Sequence, residues 1–384
     1  MTLRVGVLVP DLSMNGVTRW VCSLAKWLPN HEALLVAVGI PPAAEAKQTT
    51  AYALSSIGVP LYGTTVYNEH GENSDHVLRL GEDLEQVVDR VFEYSDVVII
   101  YSLSDCAQIF RHKRPTKPVI LVSHGPSEYT ASWIRELYPF SSGNVAVSSC
   151  CVFDFPTEIP VEIIHNGYEP DRVATVPYTL HERVRLRQDL FDVVDPHQLV
   201  IGYVGRFSDE KNILDIARAV AWINECTDSS AIGVWVGQGY AQRRYEVLAE
   251  EIAGPNACLW LPPTEDVASI FKAIDVFMLT SYREGFSMAL LEAWASHVPT
   301  VSTGVGATPS LQSVFQKSLT HLVPLDIPEE KKGQVLGLAC LKASADTHVR
   351  RNAYEVTVKY LTADKMAERW ANYLRKVLST ASAS

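Results

Sequence analysis

The strongest constraint on how this chain folds is the alternation of short apolar runs with amphipathic segments, which starts at the N-terminus, lapses near the middle and then begins again. LRVGVLVP (3–10) leads into a helical stretch from Gly16 to Leu28, then ALLVAVGI (33–40), a helix from Asp83 to Tyr94, DVVIIY (96–101), a helix near Asp105 to Arg111, PVILVSH (118–124) and NVAVSS (144–149). Runs of four to eight apolar residues without polar alternation suit strands buried on both faces, and the segments between them suit crossover helices, so the pattern predicts a doubly wound parallel sheet. The alternation restarts at Val200, which implies a second domain of the same α/β class. We place the domains at 1–170 and 171–362, with a hinge between Glu169 and Gln198 that holds Pro170, Pro177, Pro196 and the charged helix HERVRLRQDL. Residues 64–76 (TTVYNEHGENSDH) read as a polar surface loop.

Two stretches of the second half carry chemistry. In Tyr282 to Ala293, YREGFSMALLEA follows the apolar run VFML (276–279), so Glu284 and Gly285 fall on a strand-to-helix turn and the helix is expected to begin near Ser287. Amides of Gly285, Phe286 and Ser287 would then face out of a helix N-terminus, where about half a positive charge suits a phosphate. Glu284 stands on the rim of that site. A carboxylate there fits if it accepts hydrogen bonds from sugar hydroxyls, and Glu292, about 12 Å further along at helical rise, would reach a ribose. The plainer alternative is a helix flanked by one dipole partner and one solvated acid. The second stretch is VIGYVGRFSDEKN (200–212), where a strand ends at Gly205 and Arg206 and Lys211 precede a helix with Ile213, Leu214, Ile216, Ala217 and Val220 inward. Cations at a helix N-terminus oppose its macrodipole but suit a pyrophosphate; surface pairing with Asp209 and Glu210 is the alternative.

With these pieces assembled, the C-terminal half resembles the retaining glycosyltransferases of the GT-B fold, family 4 of the glycosyltransferase classification. The resemblance rests on GRFSDEKN, the VGQG turn at Val236 to Gly239, the block AIDVFMLTSYREGFSMALLEAWASHVPTVSTGVG (273–306) and IIHNGYEPDRV (163–173). It runs from Leu3 to about Leu378 and is strongest between about 160 and 310. It implies two Rossmann-like domains facing a central cleft, with an N-terminal acceptor domain and a C-terminal domain for the nucleotide sugar. It implies transfer of a sugar from a nucleoside diphosphate, a UDP-sugar in our expectation, to an acceptor hydroxyl, with the anomeric configuration retained by attack from the leaving-group face. By the same resemblance the catalytic set is His124, Arg206, Lys211 and Glu284, and donor contacts come from Gly16, Gly205, Gly237, Gly285, Phe286, Ser287 and Glu292. Family members carry a glycine pair and a basic residue after the first strand; here Asn15, Gly16 and Arg19 keep one glycine. Ser310 replaces a glutamate common after the VGATP turn. His124 corresponds to a histidine near the transferred sugar, expected to donate to a hydroxyl or carry positive charge toward the leaving group. The acceptor is expected at Asn68 to His76 and at the Ser127 to Trp133 loop. Ala363 to Leu378 places Met366, Trp370, Tyr373, Leu374 and Leu378 on one helical face, and in resembling folds the last helix returns to the first domain.

Composition removes other classes. A net charge of -11 argues against a nucleic-acid partner. Seven cysteines without CxxC or Cys/His spacing argue against a disulfide framework or zinc site and read as buried thiols. There is no Asp-x-Asp motif, so we expect neither metal nor cofactor. The first run is too short and too soon interrupted by Asp11 for a signal peptide, and no eighteen-residue apolar run occurs, so the cytoplasm is expected. RHKRPTK (111–117) can touch an anionic membrane at its inner face or a phosphorylated acceptor, or it is a solvated loop. Gly237 and Gly239 lack the third glycine of a dinucleotide turn, since Gln242 stands in its place. A nucleotide-sugar epimerase and a non-catalytic partner subunit share the fold and remain as alternatives.

Overall fold

The computed structural model describes residues 3–9, 16–28, 31–37, 61–62, 77–78, 84–102, 106–173, 179–193, 195 and 197–381. The polar stretch 64–76, with Asn68 to His76, lies outside the described residues, as does Asn15.

The chain divides into two units. The first comprises 1–167 with 363–384 and the second 168–362. In the first, β1 (Leu3–Val9), β2 (His31–Ala37), β3 (Leu61–Tyr62), β4 (Val77–Leu78), β5 (Val97–Ile100), β6 (Val119–Ser123), β7 (Gly143–Ala146) and β8 (Glu162–Ile163) form one sheet in the order β4-β3-β2-β1-β5-β6-β7-β8. In the second, β9 (Leu199–Val204), β10 (Ala231–Val236), β11 (Cys258–Leu261), β12 (Val276–Leu279), β13 (Thr300–Thr303) and β14 (His321–Val323) are ordered β11-β10-β9-β12-β13-β14. Every pairing in both sheets is parallel. The central strands are the continuous apolar runs of the sequence: β5, β10 and β12 are buried at every residue.

The order of the second sheet places the site. Strands run outward from β9 in one direction through β10 and β11 and in the other through β12, β13 and β14, so the loops after β9 and β12 diverge at a topological switch point. Such crevices beyond the strands' carboxyl ends are where open α/β sheets bind ligands.

The terminal helix Ala363–Ala381 belongs to the first unit and packs along helix Gly16–Trp27. Trp370 is fully buried with its ring centroid 5.5 Å from that of Trp20. At the sheet, Tyr373 Oη accepts from Asn144 N at 2.8 Å and donates to Asn144 O at 3.1 Å. A Cβ at Gly143 would meet Tyr373 Oη at 2.7 Å, so the bare glycine lets helix and strand meet this closely. Met366, Tyr373 and Leu374 face inward as the period predicts, but Val377 is buried where Leu378 was expected, and Leu378 is only half-buried.

The expected hinge is corrected. Helix Leu180–Phe191 opens with a capping box between Thr179 and Glu182 and is pinned to the second unit. Arg187, 2% exposed, pairs with Asp275 at 2.5 Å and donates through Nε to Ala273 O; Arg183 reaches the other oxygen of Asp275 at 2.8 Å. A charged segment that looks like a linker is therefore a buried ion-pair anchor. The chain enters and leaves this unit side by side, since Tyr168 N donates to Leu361 O and Tyr168 bridges Thr362. The cysteines are also corrected. Cys106, Cys151 and Cys340 are buried, Cys22, Cys150 and Cys258 are half-buried, and Cys226 is exposed. Arg111 and Lys113 of the basic stretch pair with Glu136 and Asp89. Among the described residues no helix is long and apolar enough to cross a membrane.

Candidate functional site

Close backbone contact at glycines joins the loops that follow β9 and β10. Gly205 ends β9 at φ +152 and Gly237 ends β10 at φ +146, a region that side-chain-bearing residues avoid. A Cβ on Gly237 would lie 1.9 Å from Gly205 O, and one on Gly239 would lie 1.9 Å from Phe207 O. Phe207 N donates to Gln238 O at 2.8 Å, so the two loops are laced together. Gly237 is thus required by the backbone of Gly205, while a Cβ on Gly205 would meet Tyr203 Oη at 2.8 Å.

The loop after β9 then makes a 3-10 turn, Asp209–Lys211, and Asn212 closes it at φ +49. The next helix, Asp215–Cys226, starts later and carries Asp215 in its first turn. Arg206 and Lys211 therefore do not abut a helix N-terminus, and the macrodipole argument for their placement does not hold. Leu214 also departs from the predicted inward face, being half-buried, while Ile213, Ile216, Ala217 and Val220 are buried.

Two bonds join this loop to the one after β12. Tyr282 N donates to Glu210 O at 2.8 Å, and Thr280 Oγ1 donates to Asn212 O at 3.1 Å. They bring together residues far apart in sequence: Lys211 Nζ sits 2.8 Å from Glu284 Oε1, with side chains 19% and 11% exposed. Ser281 Oγ donates to the same oxygen at 2.6 Å, and Thr303 Oγ1 holds Ser281 O at 2.6 Å. From the next loop, Gly306 at φ +66 packs so closely that a Cβ would fall 2.9 Å from Glu284 Cβ. Beneath, Tyr203 Oη donates to Arg206 O at 2.9 Å; burial first, and then the Glu284 charge, hold its phenol well above the ordinary range, so it stays a neutral donor.

Arg206 is placed differently from Lys211. Its side chain is 67% exposed and its Nη2 bonds Glu210 Oε1 at 2.6 Å, the surface pairing that was the alternative for this stretch. Helix Met288–Ala295 begins where expected, with Ser287 as N-cap accepting from Leu290 N at 3.3 Å. That assigns the helix's leading amides to Met288 and Ala289, whereas Gly285 and Phe286 are buried in the turn before it. Phe286, Ser287, Leu290 and Leu291 line a crevice with Glu284 and Leu311. Ser310, in helix Thr308–Phe315, bonds Ala307 O.

Glu292 is not the solvated acid of the plainer alternative. It is 7% exposed, with Arg172 Nε 3.7 Å from its Oε1. Arg172 also bonds Glu265, in the loop after β11. Arg172 lies inside the stretch 163–173, and nothing in sequence spacing ties it to Glu292.

The remaining candidates lie in the first unit. Gly16 is the exposed first residue of helix Gly16–Trp27. His124 follows β6, its ring set edge-on against Trp20 at 4.6 Å and Tyr101 at 5.3 Å between centroids. Its Nε2 is buried without a hydrogen-bond partner, and burial pushes the imidazole down to about 3. The expectation that His124 carries positive charge is therefore corrected: it is neutral at physiological pH, able to act only as a neutral donor or acceptor. Nor is Ser127 to Trp133 a loop, because Ser127 caps helix Glu128–Leu137 by accepting from Thr130 N at 3.0 Å. Asp154 steadies that cap, accepting from Ser123 Oγ at 2.5 Å and from Ser127 N at 3.3 Å. Among the described residues no cluster of three or more His, Cys, Asp or Glu is placed to hold a metal ion.

Comparison with known proteins fits this geometry. Residues 191–313 match the family model for glycosyl transferases group 1. A UDP-N-acetylglucosamine–peptide N-acetylglucosaminyltransferase GtfA subunit of Streptococcus agalactiae is 23% identical over 359 residues, 85% of this chain and 69% of that protein. A D-inositol 3-phosphate glycosyltransferase of Corynebacterium jeikeium is 32% identical over 166 residues, only 40% of this chain and 38% of that enzyme. In fold, the chain is similar to Anabaena HepE in complex with UDP-glucose, with a TM-score of 0.75 at 16% identity, covering 97% of this chain and 100% of that one. WaaG, a glycosyltransferase of lipopolysaccharide biosynthesis, superposes with a TM-score of 0.65 at 15% identity over 96% and 99%. These two likenesses are of fold, and the fold is GT-B.

Proposed function

We propose that this chain, a group 1 glycosyltransferase on the GT-B fold, belongs to the retaining family 4 and moves a sugar from a UDP-sugar to an acceptor hydroxyl without metal or cofactor. The observation that carries the proposal is the Lys211–Glu284 pair at the switch point of the second sheet, fixed by Ser281. An ammonium and a carboxylate held side by side and mostly buried suit a ligand with an anionic part next to a hydroxylated part. A nucleoside diphosphate sugar has both. UDP-glucose in the HepE structure and the UDP-sugar activity named for the streptococcal relative support that donor.

The chemistry follows from charge. Breaking the bond between sugar and diphosphate leaves about one more negative charge on the phosphate, and fixed donors in a closed site stabilise that charge. Lys211 supplies one such donor, Arg206 supplies a second after leaving Glu210, and the amides at the start of helix Met288–Ala295 supply a third. Glu284 accepts from hydroxyls of the transferred sugar, and Glu292 from the ribose. The acceptor attacks from the face the phosphate leaves, and its proton passes to that phosphate, so no separate base is needed and configuration is retained. His124, as a neutral group, offers a hydrogen bond to a sugar hydroxyl.

Calorimetric titration with UDP in EDTA, followed by a turnover assay with UDP-sugars, tests this. Binding should survive EDTA, and Glu284→Gln should mainly depress turnover while Glu292→Ala weakens bare UDP. Loss of binding in EDTA would refute the metal-free site, and equal loss of UDP affinity in both variants would refute the division of roles.

A further inference from the structure

Arg172 stands on the 3-10 turn Pro170–Arg172, just inside the second unit. Its guanidinium, 20% exposed, reaches acids on two separate elements. Nη1 is in hydrogen-bond contact with Glu265, which is 55% exposed and precedes helix Val267–Ala273, and Nε lies 3.7 Å from Glu292 Oε1. That second separation is an ion pair without a hydrogen bond. Nε is shut off from solvent and has no acceptor. A buried donor in that state is costly, and a small swing of the side chain onto Glu292 would relieve it. The opposing pull comes from Glu265, on the outer side of the guanidinium.

We propose that Glu265 is a positioning residue for the nucleoside end of the donor: by holding Arg172 back from Glu292, it sets how that carboxylate is presented to the ligand. The proposal rests on the reading that Glu292 meets the ribose. With Glu265 in place, Arg172 orients Glu292 by charge without bonding to it. Without Glu265, Arg172 closes on Glu292 as a charge-assisted pair, and a ribose hydroxyl must then displace an arginine to bind. The consequence has an unusual sign. Removing an acid near a site for a polyanion ordinarily strengthens binding, because the local potential becomes more positive. Here removal of Glu265 weakens it.

The test is calorimetric titration of the full chain with UDP and with 2′-deoxy-UDP. Glu265→Gln should bind UDP about tenfold more weakly, the size of one charge-assisted hydrogen bond, while 2′-deoxy-UDP moves less, so the preference for ribose shrinks. Because Glu265 is exposed, the melting temperature should stay near that of the wild type. Arg172→Lys keeps the charge but lacks the planar fork that spans two carboxylates, and it should lose the ribose preference as well. UDP affinity equal to or above wild type in Glu265→Gln overturns the proposal. So does a loss of melting temperature with the ratio of the two nucleotides intact, which is what a merely structural ion pair predicts. If the wild type binds neither nucleotide, the reading of the site itself fails and the proposal falls with it; binding by wild type with an unmoved ratio in the variants sinks the proposal alone.

Discussion

The strand-end regions of the two units are built from opposite materials. In the second unit the strand-end loops carry ion pairs: Lys211 with Glu284 joins the loops after β9 and β12, Arg206 pairs with Glu210 within the first of them, and Arg172 pairs with Glu265 and Glu292. In the first, the end of β6 carries a neutral imidazole between two aromatic rings, beside a serine-capped helix steadied by Asp154. Ion pairs that can exchange partners suit a ligand whose charge changes during reaction. A rigid neutral wall suits hydroxyl groups, whose recognition depends on direction more than on charge. Under the proposed function the difference matches donor chemistry in the second unit and orientation of uncharged groups by the first, and that reading can be broken by substitution.

The largest effect is expected in the first unit and on stability alone. Trp370→Ala removes a fully buried side chain that backs Trp20, which in turn touches His124, and should cost about 3 to 5 kcal/mol in chemical denaturation. A chain ending at Thr362 should lose stability as well. If turnover per folded molecule fell by as much as stability did, the wall would be more than a support. Lys211→Ala comes next and acts on chemistry. It should lower turnover by about 10² to 10³, the usual cost of one fixed donor to developing charge, and it leaves Glu284 buried without its ammonium. Wild-type turnover in this variant would remove the basis for placing the donor here.

The contrast also explains what sequence alone showed. Strands were legible because those buried on both faces are unbroken apolar runs, and the start of helix Met288–Ala295 was legible because Ser287 is a strong N-cap after a strand. Pairings across the sheet were not. Glu284 meets Lys211 only because β9 and β12 are neighbours out of sequence order. Arg183 and Arg187 are legible as part of a charged helix, but its place in the second unit is not, because nothing local reveals the pairing with Asp275. His124 was readable as a strand-end histidine, but its neutrality comes from burial, with Trp20 and Tyr101 from other segments packed against its ring.

A middling effect tests that neutrality. His124→Ala should lower turnover by about 10² while UDP affinity stays within a few-fold, since the residue belongs to the first unit. Its folded pKa, about 3, lies below the ordinary value of 6.5, so the stability it contributes is fully present above about pH 6.5 and is lost as pH falls from there toward 3. Denaturation measured between those limits should show a flatter acid slope in His124→Phe than in the wild type. For the same reason the pH profile of turnover between about 5 and 8 should carry no inflection from His124. An inflection near 6.5 that disappears in the variant would show a charged imidazole at work.

The smallest effect separates two acids that each hold an arginine, Glu210 half-buried and Glu265 exposed. Glu210 bonds Arg206 at the surface, where such pairs contribute about 0.2 to 1 kcal/mol, so Glu210→Gln should release Arg206 and tighten UDP binding by about two- to fivefold. Glu265→Gln makes the same change of charge beside Arg172 and is expected to weaken binding. A general field effect would move both variants in one direction, toward tighter binding, and both shifts would fade together as salt is raised. Opposite signs would mean that each acid acts through the arginine it holds. In that outcome Glu210 acts by drawing Arg206 away from the diphosphate, and Glu265 by keeping Arg172 off Glu292. Titrating both variants with UDP at two ionic strengths decides between them, and two shifts of the same sign would reduce the ion pairs of the second unit to a uniform background charge.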